Sequence, residues 1–131
     1  MTRRPLASLA PLLFLLGCPV TGDSYPQTYA NELCSAMFLC VADENDIEFW
    51  TQYDDEEECA EGVRSDIESS TVYDQYEEGD RTFDKDVADT CLREITGTRD
   101  DSDCGGMSFL EFLADSEATG YCAEAFPEAD E

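Results

Sequence analysis

The sequence predicts a mainly α-helical fold, a small bundle of three or four short helices stapled by three disulfides. Three observations carry this expectation. Phe83, Val87, Cys91 and Ile95 recur every fourth residue, the spacing of one helix face. Six cysteines, Cys34, Cys40, Cys59, Cys91, Cys104 and Cys122, are spread over the chain beyond Cys18, an even set that suits a disulfide framework. Strict apolar/polar alternation never runs long enough to argue for a sheet, and no internal repeat is convincing.

Taken in order, residues 18–27, with Pro19, Gly22 and Pro26, read as a tether, residues 28–126 as the folded domain and residues 127–131 as an acidic tail. From Thr28, Ala30, Leu33/Cys34, Met37 and Cys40/Val41 keep helical spacing. Asp43 to Tyr53 is a mixed stretch in which Ile47, Phe49, Trp50 and Tyr53 sit among acids. A second helix is expected near Asp54-Asp55-Glu56, because acidic first turns suit the helix dipole, with Cys59, Val63 and Ile67 on one face. Gly62 weakens that helix. Residues 69–82, with Ser, Thr, Gly79 and acids, read as an exposed loop. The third helix carries the Phe83–Ile95 stripe, with Thr82 to cap it and Gly97 to end it. Residues 98–107 are turn-rich and hold Cys104. Ser108-Phe109-Leu110-Glu111 is a capping-box pattern that opens a fourth helix, closed by Gly120. Cys122 and Phe126 can then fold back onto the core.

Residues 1–17 have the parts of an export signal: Arg3-Arg4, an apolar run from Leu6 to Leu16, and the small Gly17. At about 1.5 Å per residue the run spans only ~15–20 Å as a helix, too short for a ~30 Å hydrocarbon core. Pro5 and Pro11 oppose helix further. Leu15-Leu16-Gly17-Cys18 resembles the lipobox of bacterial lipoprotein precursors, matched at Leu15, Gly17 and Cys18 and departing at Leu16, where a small residue is commoner. The resemblance implies cleavage before Cys18 and acylation of its thiol and new amino group. The alternative is an ordinary secretory signal cut near Gly22. Two or three acyl chains make attachment effectively permanent, whereas one gives only marginal binding. Pro19 after the lipid site points to the outer membrane or the cell surface.

Assigning Cys18 to lipid leaves the even set of six. Structural zinc wants closely spaced Cys pairs, usually with His. Here the nearest pair is Cys34 and Cys40 and the chain has no His. A metal cluster or a catalytic thiol is therefore not expected. Six cysteines allow about fifteen connectivities. A helix over 28–42 sets Cys34 and Cys40 ~9 Å apart on different faces, beyond the ~7 Å Cα reach of a disulfide. Antiparallel neighbours then give Cys40–Cys59, Cys91–Cys104 and Cys34–Cys122 as the expected pairs. In cysteine spacing the chain resembles small, cysteine-rich, uncharacterised lipoproteins of gliding, fruiting-body-forming bacteria. That resemblance implies a helical disulfide domain on the envelope and supplies no activity.

Beyond residue 17 the chain keeps five basic against 32 acidic residues, a balance of −27 over 114 residues. Such charge opposes compaction, but the cysteines and the aromatics Phe38, Trp50, Phe83, Phe109 and Phe112 argue for a stapled domain over a disordered one. Nucleic acid is excluded as a partner, because phosphates need Lys and Arg. Anionic headgroups repel the domain, so the membrane is held through the acyl chains alone. A cationic envelope protein or a polycation remains attractive.

One segment has the outline of a ligand site. Asp100, Ser102, Cys104, Gly105, Met107 and Glu111 are similar to an EF-hand calcium loop, with Ser102 and Cys104 where Asp or Asn usually stands. The same letters make a Gly turn and a capping box. Paired carboxylates arise by chance in so acidic a chain, and a core this small offers little room for a substrate cleft. Ile47 to Tyr53 has the composition of an ammonium cage, or of residues that simply cover a core. The expected function is a non-enzymatic, lipid-anchored envelope protein whose acidic domain is an interaction module. It needs no cofactor. The alternative is a calcium-responsive surface protein using Asp100, Ser102 and Glu111.

Overall fold

Pro26 stands in the first turn of the opening helix, where its fixed φ is already helical and its missing N–H costs nothing. The structure is a computed structural model that describes residues 19–100, 106–116, 122 and 124–129. Residues 1–17, Cys18, Ser102, Cys104 and Gly120 lie outside the described residues.

Helix α1 runs Tyr25–Cys40. It begins three residues ahead of the expected Thr28, because a turn in which the Thr21 amide donates to Ser24 Oγ at 2.9 Å delivers the chain to Pro26 already helical. Its buried residues include Tyr25, Tyr29, Ala30, Cys34, Met37 and Cys40, and it packs principally on α3 and α5. It is the spine of the domain.

Helix α2, Glu44–Thr51, occupies the stretch that carried no clear period. The Asp43 carboxylate caps it by accepting from the Asn45 amide at 2.9 Å, and Gln52, at φ 62°, ends it in the left-handed region. Helix α3, Glu56–Glu68, follows the expected acidic start. Asp55 caps it, accepting from the Glu58 amide at 2.8 Å, and Glu56, Glu57 and Glu58 stand at the positive end of its dipole.

Residues 69–82 are not a loop. They hold helix α4, Thr71–Glu78, capped by Ser70 and closed by Gly79 at φ 91°. Val72, Tyr73 and Tyr76 supply its apolar side. Helix α5, Lys85–Asp100, is longer than expected and starts later. Asp84, not Thr82, caps it by accepting from the Val87 amide at 3.1 Å, while the Thr82 amide is engaged with Pro127 O. Gly97 lies inside this helix instead of ending it. Helix α6, Phe109–Ser116, opens on the expected capping box. The described residues thus hold six helices where three or four were expected, the additional ones being the short α2 and α4.

Sheet structure among the described residues is confined to two isolated bridges, Val41 with Met107 and Arg81 with Glu128. The first seats the start of α6 beside the end of α1, supported by the Ala42 amide donating to Met107 O at 2.9 Å. The second seats the C-terminal segment beside the α4–α5 turn, where the Ala129 amide donates to Asp80 O. Phe126 folds back as expected and is buried against Tyr25, Tyr73, Tyr76 and Phe83.

The disulfides correct the expected pairing. Cys34 is bonded to Cys59, with Cα atoms 5.9 Å apart, and Cys91 to Cys122, at 5.3 Å. None of the three expected pairs survives, because each shares a cysteine with an observed bond. The reason is where the helices cross. Cys59 opens α3 against the middle of α1, at Cys34, rather than at its end, and the returning C-terminal segment brings Cys122 to α5. Cys40, completely buried on α1, is likewise disulfide-bonded. As expected, Cys34 and Cys40 share one helix and are not joined to each other.

Candidate functional site

Acidic side chains dominate the surface because the few cations are already engaged. Beyond residue 17 the cations are Arg64, Arg81, Lys85, Arg93 and Arg99. Arg64 pairs with Glu68, Arg81 with Glu128, Lys85 with Asp89 and Arg99 with Glu32. The first cation after Arg4 is Arg64, so α1 and α2 hold no Lys or Arg, and α6 holds none either. Where those three helices meet, no cation carried by any of them offsets their acids.

At that junction lies the stretch Ile47 to Tyr53. Its residues do not converge into a cage. Ile47 is buried, while Phe49 and Trp50 stand in solvent at 74 % and 53 % exposure. The two rings meet edge to face with centroids 5.3 Å apart, and Trp50 stacks on Phe109 of α6 at 6.2 Å with planes 12° apart. Tyr53 turns the other way and packs over Gly62 of α3.

The calcium-like segment divides. Ser102 and Cys104 lie outside the described residues, and the backbone of Asp100 ends α5. Glu111 is on α6, where its carboxylate accepts from the Ser108 amide at 2.8 Å and its own amide donates to Ser108 Oγ at 3.2 Å. That reciprocal pair is a complete capping box and occupies Glu111 Oε2. Among the described residues no group of three or more His, Cys, Asp or Glu is arranged to hold a metal ion. No helix among them is long and apolar enough to cross a membrane.

A second feature was not foreseen. A cavity of about 360 Å³ is walled by Tyr25 and Tyr29 of α1, Ile67 of α3, Tyr73 of α4 and Phe126 of the C-terminal segment, with Asp66 at its edge. Burial pushes the Tyr25 phenol far above its ordinary range, with a smaller push from Tyr29, and burial raises Tyr29 as well. Both therefore stay neutral. Tyr25 Oη reaches Cys91 Sγ at 3.5 Å, tying the cavity wall to the Cys91–Cys122 disulfide. Tyr25 and Tyr29 are four residues apart and so share a helix face, the one signal that could have found this wall. It was hidden because Tyr25 falls in the expected tether and Tyr73 in the expected loop.

No family model, curated protein or solved structure matches the chain.

Proposed function

We propose that this is a lipid-anchored protein of the cell envelope, held through acyl groups on Cys18, whose acidic helical domain binds a cationic partner and performs no catalysis. The observation that carries the binding reading is the engagement of four of the five cations beyond residue 17 in ion pairs, which leaves the −27 surface nearly uniform in sign. A surface of one sign accelerates encounter with the opposite sign and disfavours its own. The observed disulfides support an oxidising compartment, in keeping with the export signal and lipobox-like Leu15, Gly17 and Cys18.

With Cys18 assigned to lipid, the framework reading expects Cys40 to pair with Cys104, the remaining cysteine of the six, which lies outside the described residues. Cys34, Cys59, Cys91 and Cys122 are committed to each other, and Cys40 is itself bonded. In support, Gly106, two residues beyond Cys104 in sequence, donates its amide to Cys40 O at 3.1 Å.

Intact-mass spectrometry and non-reducing peptide mapping of protein extracted from membranes test the anchor and the framework together. The expected chain starts at an acylated Cys18, has no free thiol and yields a cross-linked Cys40–Cys104 peptide. A chain starting near Asp23 without lipid overturns the anchor; a free thiol at Cys104 overturns the third bond. Calorimetry with polylysine at ~0.15 M salt, where screening acts beyond ~8 Å, tests the partner class. Saturable binding is expected, and its absence overturns the cationic reading.

A further inference from the structure

The large apolar side chains left in solvent are not scattered. Leu39, Phe49, Trp50 and Leu110 are each more than half exposed, and Leu113 is exposed beside them. They belong to the last turn of α1, to α2 and to α6, the three helices gathered by the Val41–Met107 bridge and the Trp50–Phe109 stack. On α6 the exposed Leu110 and Leu113 lie three residues apart on one face, while Phe109 and Phe112 go to the core. A monomeric domain seldom leaves several such side chains together in water without a use. Around them the exposed charges are acidic: Asp43, Glu44 and Glu48 by α2 and Glu111 on α6.

From this arrangement we infer that the α1–α2–α6 end is the docking face for a basic amphipathic helix, whose apolar side covers Phe49, Trp50 and Leu110 while its Lys and Arg meet the acidic rim. The inference rests on the cationic-partner reading above and names the partner's form and seat. Charge selects the occupant. A second copy brings another face built on helices without a cation, so self-association sets acid against acid. A lipid surface is disfavoured by the same acids and by position. The face lies at the C-terminal end of α1, opposite the Thr21–Ser24 turn by which the chain enters it, and α1, with 16 residues, is about 24 Å long at ~1.5 Å per residue. A helix laid by its apolar stripe onto an apolar face with a rim of opposite charge is an established mode of recognition.

Trp50 is the only tryptophan in the chain and lies in the face, so it reports occupancy directly. The test titrates the disulfide-intact domain with a Leu/Lys peptide of about four helical turns patterned as an amphipathic helix. A peptide of identical composition and scrambled pattern is the control. Binding is followed by Trp50 emission and by calorimetry at ~0.15 M salt. The expected result is a saturable one-to-one complex with the patterned peptide, a blue shift of Trp50, and weaker binding of the scrambled peptide. The double variant Phe49→Gln/Leu110→Gln, altered only at exposed positions and checked for native circular dichroism, is expected to lose affinity roughly tenfold or more for the patterned peptide. Equal binding of both peptides, unmoved by the double variant, overturns the docking face while leaving the cationic-partner reading intact. Binding of neither peptide overturns both. A blue shift produced by phosphatidylcholine vesicles, or by concentrating the protein alone, and lost in the double variant gives the face to lipid or to self-association and overturns the inference.

Discussion

Gly62 sits in the interior of α3, where glycine ordinarily costs about 0.5–1 kcal/mol relative to alanine. Its reason lies in Tyr53, whose ring occupies the space that a Cβ at Gly62 would enter. The Tyr53 side chain, just beyond α2, is thereby packed against α3 at Gly62. Gly97, inside α5, has nothing near its missing Cβ. The two glycines should respond to alanine with opposite signs. Gly62→Ala is expected to destabilise by about 1–3 kcal/mol, the cost of overpacking, and Gly97→Ala to stabilise by roughly 0.5–1 kcal/mol. Thermal unfolding of the pair checks this, with wild type as reference. From the sequence Gly62 looked like a weak point of one helix and Gly97 like the end of another, because the contact that distinguishes them runs between residues with no shared period.

At the level of elements, the cap of α6 was legible and that of α5 was not, since Asp84 stands where Thr82 was expected. The Ser108–Glu111 box is formed by reciprocal hydrogen bonds, as its letters demand. Ser108→Ala removes the acceptor for the Glu111 amide and is expected to cost about 1 kcal/mol, read as a lower denaturation midpoint at unchanged slope. The i+4 stripe of α5 and the acidic start of α3 were equally plain. Helices α2 and α4 were not. Each has only eight residues and two turns, too few repeats for a period to show, and α4 is rich in Ser, Thr and acids at its ends. Their existence depends on what they pack against: Ile47 is completely buried beneath α2, and Tyr73 and Tyr76 of α4 close on Phe126. Disulfide pairing lies still further from the sequence. It follows from which turn of α1 faces α3, and nothing local encodes a crossing point.

For the whole molecule, charge and cross-links oppose each other. The formal charge of −25 strains the compact state, and the Cys34–Cys59 and Cys91–Cys122 bonds tie together segments 25 and 31 residues apart in the chain. In the chain-entropy account a bond closing a loop of this size contributes somewhat more than ~3 kcal/mol. The melting temperature is expected to rise with sodium chloride between ~0.01 and ~0.1 M, as the screening length shrinks from ~30 to ~10 Å. A scan at fixed pH checks this, and a flat response would mean that the acids are spaced too widely to strain the fold. Charge was fully readable in the letters. The docking face was not, since Leu39, Phe49, Trp50 and Leu110 look like core residues until the bridge and the stack bring three helices to one end.

The seating of Pro127 and Ala129 against Asp80 and Thr82 has a consequence for how the domain is carried. At the other terminus Gly22 packs against Tyr76 and its carbonyl accepts from Tyr73 Oη, so entry and exit of the chain both lie along α4. A fold whose described ends lie along one short helix can be threaded into a host protein's loop as a two-point insertion, with short linkers on either side. It then hangs from the α4 side like a pendant, and the opposite face turns outward whichever end does the holding.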